Sequence, residues 1–538
     1  MLSLLTNCLS FKKGYDYMEF LCDSKYIIVP AKHDAQNKRV MFYIDDKLVY
    51  DFVAALDYDN PDYEFPLNVE RFMGKKIRIE CDADIDLQFR KSNSADTDYS
   101  GEYRPYAHFT AKRGWINDPN GLTYYNGKYL MFYQHNPVAV TWENMHWGYA
   151  VSDDLIHWHE KNIALFPDEN GTMFSGSSVI DTRNVTGLKE NDNDVILLFY
   201  TCAGSTSETS KGKPFTQNLA YSTDGGQTFI KYEKPLIEQI CGGNRDPKVI
   251  YYEPDDVYIM SLYLEKHNFA LFKSRNLLDW EEIQRITMAE DAECPDFYPL
   301  AVDNDKSKIK WLFTAASDRY YIGSFNGKKF TAESKLRRLN YGNNSYAAQS
   351  WSHVPDGRRI RTAFATVVIP GMPFGSVMNV PQEMSLKTIK GELRLCAMPV
   401  KEIEKLYRKT DRFADVSVDS KNPFSFRTEG KCCDIELNIE DCSSFLISLY
   451  GMEIEYSKEK GILRCQDKEA PVNGIDGIID LRIVIDTVYA EIFAEGGSVF
   501  MGMSYIQNSS LNNLKIESEK AVIKKLSVSD MGKFWDCP

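Results

Sequence analysis

The sequence lacks the features that would carry it to a nucleic acid or into a membrane. Lys and Arg number 63 against 77 Asp and Glu, a formal net charge of −14. A general nucleic-acid binder needs a basic footprint, and an anionic lipid surface would repel this chain. No apolar run approaches the roughly 18 residues of a membrane span. Residues 1–13 are apolar but broken by Thr6-Asn7, and their lysines follow the apolar part. A secretory leader has the reverse order and a small-residue cleavage site, so the expected location is cytoplasmic. The 12 cysteines form no CxxC pair, and Cys432 and Cys433 are adjacent. Free thiols are expected rather than a disulfide framework. GxSxG, P-loop, HExxH and GxGxxG patterns are also missing, which removes the usual marks of serine hydrolases, nucleotide binders and zinc proteases.

What is present is a folded chain, 43% hydrophobic, 26% charged and 13% aromatic. At roughly 150 residues per domain, 538 residues imply two to four domains. Residues 1–100 read as short strands: Tyr26-Ile-Ile-Val, Val40-Met-Phe-Tyr-Ile, Lys47-Leu-Val-Tyr and Lys76-Ile-Arg-Ile-Glu. Asp45-Asp46 forms a hairpin turn between two of them. A polar stretch near 91–101 closes this N-terminal β-domain.

From 104 to 398 a phrase repeats: strand, Ser, polar turn, aromatic. It occurs at Ser152 to Trp158, Ser222 to Phe229, Ser274 to Trp280 and, degenerate, Ser324 to Phe330. The aromatics stand 71, 51 and 50 residues apart. A strand-built repeat near 50 residues is the mark of a β-propeller, here of five or six blades; unrelated hairpins are the plainer alternative. Val400, Ile403 and Leu406 behind Pro399 predict a linker helix over 399–410. Strands resume in 411–538 at the rhythm of a C-terminal β-sandwich. The fold class expected is all-β.

Three acidic motifs fall in the propeller segment. Asp118 sits in Asn117-Asp-Pro-Asn-Gly, a rigid turn able to aim a carboxylate as a nucleophile requires, although read alone it is only a tight turn. Asp246 follows Arg245, whose cation should keep it ionised; a structural ion pair reads the same way. Glu293 lies beside Cys294 among aromatics. An apolar wall there would favour its neutral form and suit a general acid, while a surface acid is the plainer reading. Loops on different blades meet at one axial pocket, so the three can converge into a glycosidase site. His157-Trp-His159 puts two imidazoles on one strand face, but packing or surface roles suffice, and no metal site is predicted.

At these residues the chain resembles glycoside hydrolase family 32, the β-fructofuranosidases, inulinases and levanases. The resemblance rests on His108-Phe-Thr through Trp-Ile-Asn-Asp118-Pro-Asn-Gly, Tyr129-Leu-Met-Phe-Tyr-Gln134, Met173-Phe174-Ser175-Gly, Arg245-Asp246-Pro-Lys, Glu293-Cys294-Pro-Asp and Tyr346-Ala-Ala-Gln349. It implies a five-bladed propeller, with Asp118 as nucleophile on C2 of a terminal fructosyl unit. Glu293 would be the acid–base and Asp246 the stabiliser of the transition state, with net retention. Asn117, Gln134, Trp142, Phe174, Ser175 and Arg245 match fructose-binding positions. No cofactor is implied. The expected partner is a fructose-containing oligo- or polysaccharide, with no nucleic acid or membrane, and a homodimer is left open. Ala292, His135, Tyr149 and the amide-rich 340–346 loop depart from the family pattern and leave substrate choice among sucrose, inulin and levan open. The stretch before Ser175 leans toward fructanases. A fructosyltransferase, a non-catalytic carbohydrate-binding propeller and an inverting arabinofuranosidase are the alternatives.

Overall fold

Asp45 and Asp46 take left-handed φ values of 50° and 60°, the geometry that a two-residue hairpin loop needs to match strand twist. They join strands Lys38–Ile44 and Lys47–Ala54, as the sequence predicts. The computed structural model describes residues 17–536 except 84, 86, 96 and 97. The reading of residues 1–13 and the start of the N-terminal domain therefore lie outside the described residues. The described part of that domain is a small sandwich of a four-stranded and a three-stranded sheet. Its core of Ile27, Val29, Phe42, Phe52 and Phe65 runs on into the next domain through Val138 and Val140.

Five groups of strands come next, over 114–160, 172–231, 245–287, 296–338 and 346–399. Within each group the strands pair antiparallel with their sequence neighbours. In the fifth group the third strand is split into Phe374–Met378 and Gln382–Ile389. The first strands of successive groups lie against one another, which sets them around a common axis. This is a five-bladed β-propeller. Parallel bridges Phe374↔Gly114 and Gly375↔Trp115 join the fifth blade to the first.

The repeated phrase is the turn between the third and fourth strands of a blade. Ser152, Ser222 and Ser274 each accept a turn N–H at 2.8–3.1 Å, and each hydroxyl donates to the acid or amide two residues on. These Ser-x-Asp/Asn turns use side chains to satisfy backbone groups that strand pairing leaves over. The aromatics close the gaps between sheets: Phe229 packs on Phe132, Trp280 on Phe199 and Trp158 on Trp351. The fifth blade has a two-residue turn, Lys390-Gly391, at this position and so carries no copy.

The predicted 399–410 helix is shorter than its pattern suggests. A 3₁₀ turn, Lys401–Leu406, buries Ile403 and Leu406 as the spacing requires. From Tyr407 the chain is already extended, because the 13-residue strand Tyr407–Asp419 pairs along Lys520–Met531. A long ladder outcompetes a helix too short to be stable alone. Two six-stranded sheets then form the C-terminal sandwich. Among the described residues no helix is long and apolar enough to cross a membrane.

The sandwich docks on the propeller through buried charge. His108 is fully enclosed between Asp486 (Nδ1 to Oδ2, 2.9 Å) and Glu491 (Nε2 to Oε1, 3.2 Å). Asp486 also accepts the backbone N–H groups of Tyr106 and Ala107, and Glu491 those of Val380 and the Gln382 amide. Burial alone would depress the imidazole, but its two carboxylate partners raise it to about 9.

Candidate active site

Four of the five first strands are irregular near their axial ends. Register slips between Ile116 and Pro119, between Phe174 and Gly176, between Arg245 and Lys248, and between Tyr346 and Gln349. A β-bulge re-aims side chains, and these bulges carry Asp118, Ser175, Asp246 and Tyr346. The remaining blade supplies Glu293 and Cys294 from the loop before strand Asp296–Val302. Asp246, Glu293 and Cys294 have φ of 67°, 59° and 40°. Such left-handed conformations cost non-glycine residues on the order of 1–3 kcal/mol each and mark functional sites. Gly114 (φ 88°) starts the first strand, where a Cβ would meet the Asn136 carbonyl at 2.2 Å.

The result is one cavity of about 330 Å³. Asn117, Asp118, Gln134, Trp142, Phe174, Ser175, Arg245, Asp246 and Glu293 all line it, so the nine residues expected to act on or bind a fructosyl unit converge there. Trp115, Tyr346 and Phe364 complete the wall.

Donors approach Asp118 from both sides. Ser175 Oγ donates to Oδ2 at 2.5 Å, and Asn117 Nδ2 donates to Oδ1 at 3.0 Å. Asn117 is itself fixed by the Trp115 indole N–H at 2.9 Å. Cys294 Sγ lies 3.3 Å from Asp118 Oδ2 and 3.5 Å from Asp246 Oδ2, while its backbone N–H donates to Asp246 at 3.0 Å. The Asp246 N–H is held by Thr201 Oγ1. Glu293 pairs with the Arg245 guanidinium, and its other oxygen accepts the Tyr346 hydroxyl at 2.8 Å. Arg245 rests over the Tyr263 ring at 4.6 Å.

Burial pushes Asp118 above the ordinary carboxylate range, partly offset by Ser175, Asn117 and Cys294. Asp246 rises to about 7. That corrects the sequence reading of Asp246. Arg245 does pull it down, but desolvation outweighs the cation, and the charges of Asp118 and Glu293 add to the rise. The reading of Glu293 also changes. Its side chain sits against a guanidinium and a phenol rather than in an apolar wall. Arg245 itself is raised, its two acid neighbours overcoming the penalty of burial.

Among the described residues one group has its possible metal-ligating atoms within 4.8 Å of one another: Asp118, Asp246 and Cys294. Burial and the two aspartates hold the Cys294 thiol well above its usual value. Its sulfur lies between the two acids, 3.3 Å from Asp118 Oδ2 and 3.5 Å from Asp246 Oδ2. His157 pairs with Asp154 at 3.0 Å, away from the cavity.

Three of the departures from the family pattern lie outside the cavity lining. Tyr149 stacks on Phe132 at 4.4 Å, His135 Nδ1 donates to the Trp115 carbonyl (2.9 Å), and Ala292 packs in a blade core. The 340–346 loop is bound to the sandwich: Tyr341 and Asn344 N–H groups donate to Phe500 and Gly502, and Asn344 reaches Ser504. Only Tyr346, at its end, enters the cavity. Sequence reasoning passes over Trp115, Cys294 and Tyr346 as site residues although all stand inside the motifs quoted. Phe364 lies in an ordinary strand and offers no signal.

The family model described as "Glycosyl hydrolases family 32 N-terminal domain" matches residues 108–399. The levanase of Bacillus subtilis (strain 168) is 29% identical over 503 residues, 82% of this chain and 73% of that protein. An extracellular exo-inulinase of Aspergillus awamori is 28% identical over 410 residues, 65% of this chain and 75% of its own. The crystal structure of an exo-inulinase from Aspergillus awamori superposes with a TM-score of 0.74 at 24% identity, covering 81% of this chain and all of that one. With more than half its length matched and its propeller and sandwich shared, the chain belongs to glycosyl hydrolase family 32.

Proposed function

We propose that this protein is a retaining β-fructofuranosidase that removes terminal non-reducing β-D-fructofuranosyl units from fructans, fructooligosaccharides or sucrose. The observation that carries the reading is the convergence of Asp118, Asp246 and Glu293, from three blades, on one cavity walled by Trp115, Trp142, Phe174 and Phe364. A neutral sugar suits that wall: ring faces cover its apolar side and carboxylates take its hydroxyls. The levanase and exo-inulinase names of the relatives support fructans as the substrate class.

In the reaction Asp118 attacks C2, and the bond from C2 to the leaving oxygen breaks. Glu293 gives that oxygen its proton, and the fructosyl unit is left as an ester of Asp118. Water then attacks the same carbon, loses a proton to Glu293 and releases fructose with Asp118 restored. Ser175 and Asn117 hold the nucleophile in its attacking rotamer. Tyr346 and Arg245 orient Glu293. Asp246 takes sugar hydroxyls and, when ionised, offsets positive charge at C2 in the transition state.

Chromatography of products from sucrose, short inulin-type oligosaccharides, inulin and levan tests this, with Asp118→Asn as control. Fructose with the wild type and none with the control is expected. No fructose from any substrate sinks the proposal. Transfer of fructosyl units to sugar at high sucrose would move it to the transferase alternative, which uses the same carboxylates.

A further inference from the structure

The aromatic wall of the cavity is held by the N-terminal domain. Trp142, 49% exposed at the rim, stands at the tip of the connection 137–145 between strands Lys128–Asn136 and His146–Ser152. Before the tip, Val138 and Val140 are buried in the N-terminal domain's core. After it, Asn144 pairs with the backbone of Val53 as another strand would: Oδ1 accepts the Val53 N–H and Nδ2 donates to the Val53 carbonyl, both at 2.8 Å. Asn136 ties the loop across its base through the Thr141 carbonyl and Asn144.

Two residues earlier on the same N-terminal strand, buried Asp51 grips a second loop. It accepts the N–H groups of Glu208 (3.1 Å) and Thr209 (2.9 Å) and the Thr209 hydroxyl (2.5 Å), and it pairs with Arg39. That loop feeds strand Phe215–Ser222, and Phe215 packs edge-on against Phe174 at 5.7 Å. Phe174 in turn packs edge-on against Trp142 at 6.0 Å. Asp51 and Val53 thus reach both ends of the ring series Trp142–Phe174–Phe215.

We infer that the N-terminal domain belongs to the substrate-recognition machinery, with Asn144 and Asp51 as positioning residues that hold Trp142 and Phe174 in place against bound sugar. This rests on the fructosidase reading for its substrate. Neither residue lines the cavity, so their effect should fall on binding. Held loops spare the ordering cost of binding, and a loosened tip reintroduces it.

The test uses the full chain with sucrose and inulin. Asn144→Ala should raise KM about tenfold with kcat within about twofold, and Asp51→Asn, which keeps the side chain's shape, should do so by a smaller factor. In a Trp142→Ala background Asn144→Ala should have little further effect on KM, since coupled residues are non-additive. Unchanged KM in both variants, or full additivity with Trp142→Ala, overturns the inference. Should Asn144→Ala fail to fold, Asp51→Asn carries the test. Quenching of Trp142 fluorescence by acrylamide, taken as the difference from Trp142→Phe, reads the loop without substrate. It should increase in the variants, and no change counts against the inference. A wild type inert toward every fructoside sinks the proposed function instead and leaves the quenching result to decide this one.

Discussion

At the propeller axis and at the propeller–sandwich junction the chain buries acids in pairs, and the two pairs are treated in opposite ways. At the junction Asp486 is wholly buried yet held below the ordinary aspartate value. Burial would raise it, but the His108 hydrogen bond and charge and the N–H groups of Tyr106 and Ala107 outweigh that. On the axis Asp118 and Asp246 are raised, because their donors fall short of what desolvation removes. Fully satisfied acids fasten domains together. Under-satisfied acids keep lone pairs and charge in reserve for a ligand. The site is held at a cost that the rest of the fold carries.

The comparison breaks most decisively at Asp118. Asp118→Asn should lower kcat by about 10⁵-fold while raising the thermal midpoint slightly, since it removes a desolvated acid. Product chromatography and a melting curve check both halves. An active variant would mean that a different group attacks C2.

At the junction the signs reverse. His108→Ala leaves Asp486 and Glu491 buried without their cation and should cost about 3–5 kcal/mol in urea unfolding. Because the folded imidazole titrates near 9 against 6.5 unfolded, its contribution is complete below about pH 6.5 and fades as pH rises through 9. The gap between wild type and variant should close over that interval.

Asp246→Asn should cost activity but stabilise the fold at pH 8. The displacement from 3.8 to about 7 is worth at most ~4 kcal/mol. The penalty is absent below about pH 4, grows as pH rises and is complete above about 7. The stabilisation should follow the same course in pH-dependent melting. The smallest effect is expected at Ser175. Ser175→Ala removes the closest donor to Asp118, which should cost about tenfold in kcat/KM and move the acid limb of the profile to higher pH.

Much of the fold and of the site is legible in the chain itself. Propeller, sandwich and N-terminal β-domain emerge from strand rhythm and the Ser-turn-aromatic phrase, because that turn satisfies its own backbone locally. The three carboxylates stand in acidic motifs visible in the sequence, whereas the other six site residues are found through the family resemblance of the segments around them, not through strand pattern. The protonation of Asp246 is misread because Arg245 is visible in the sequence and the burial by Thr201, Cys294 and Asp118 is not. The 399–410 helix is overextended because its ladder partner lies beyond residue 519. Tyr346 goes unassigned, since its contact with Glu293 spans 53 positions.

The way the ring closes has a consequence for how the chain folds. Every blade is built from strands adjacent in sequence, so each can form from local pairings. Closure requires Gly114 to meet Phe374, with Tyr124 bonded to the Ser352 carbonyl, and no strand is exchanged between the first and last blades. Loop-closure entropy and long sequence separation make such a step slow. Asp118 comes from the first blade and Glu293 from the loop that opens the fourth. The proposed catalytic pair therefore spans the ring, and closure adds a second route, through the fifth blade, that fixes its two members relative to each other.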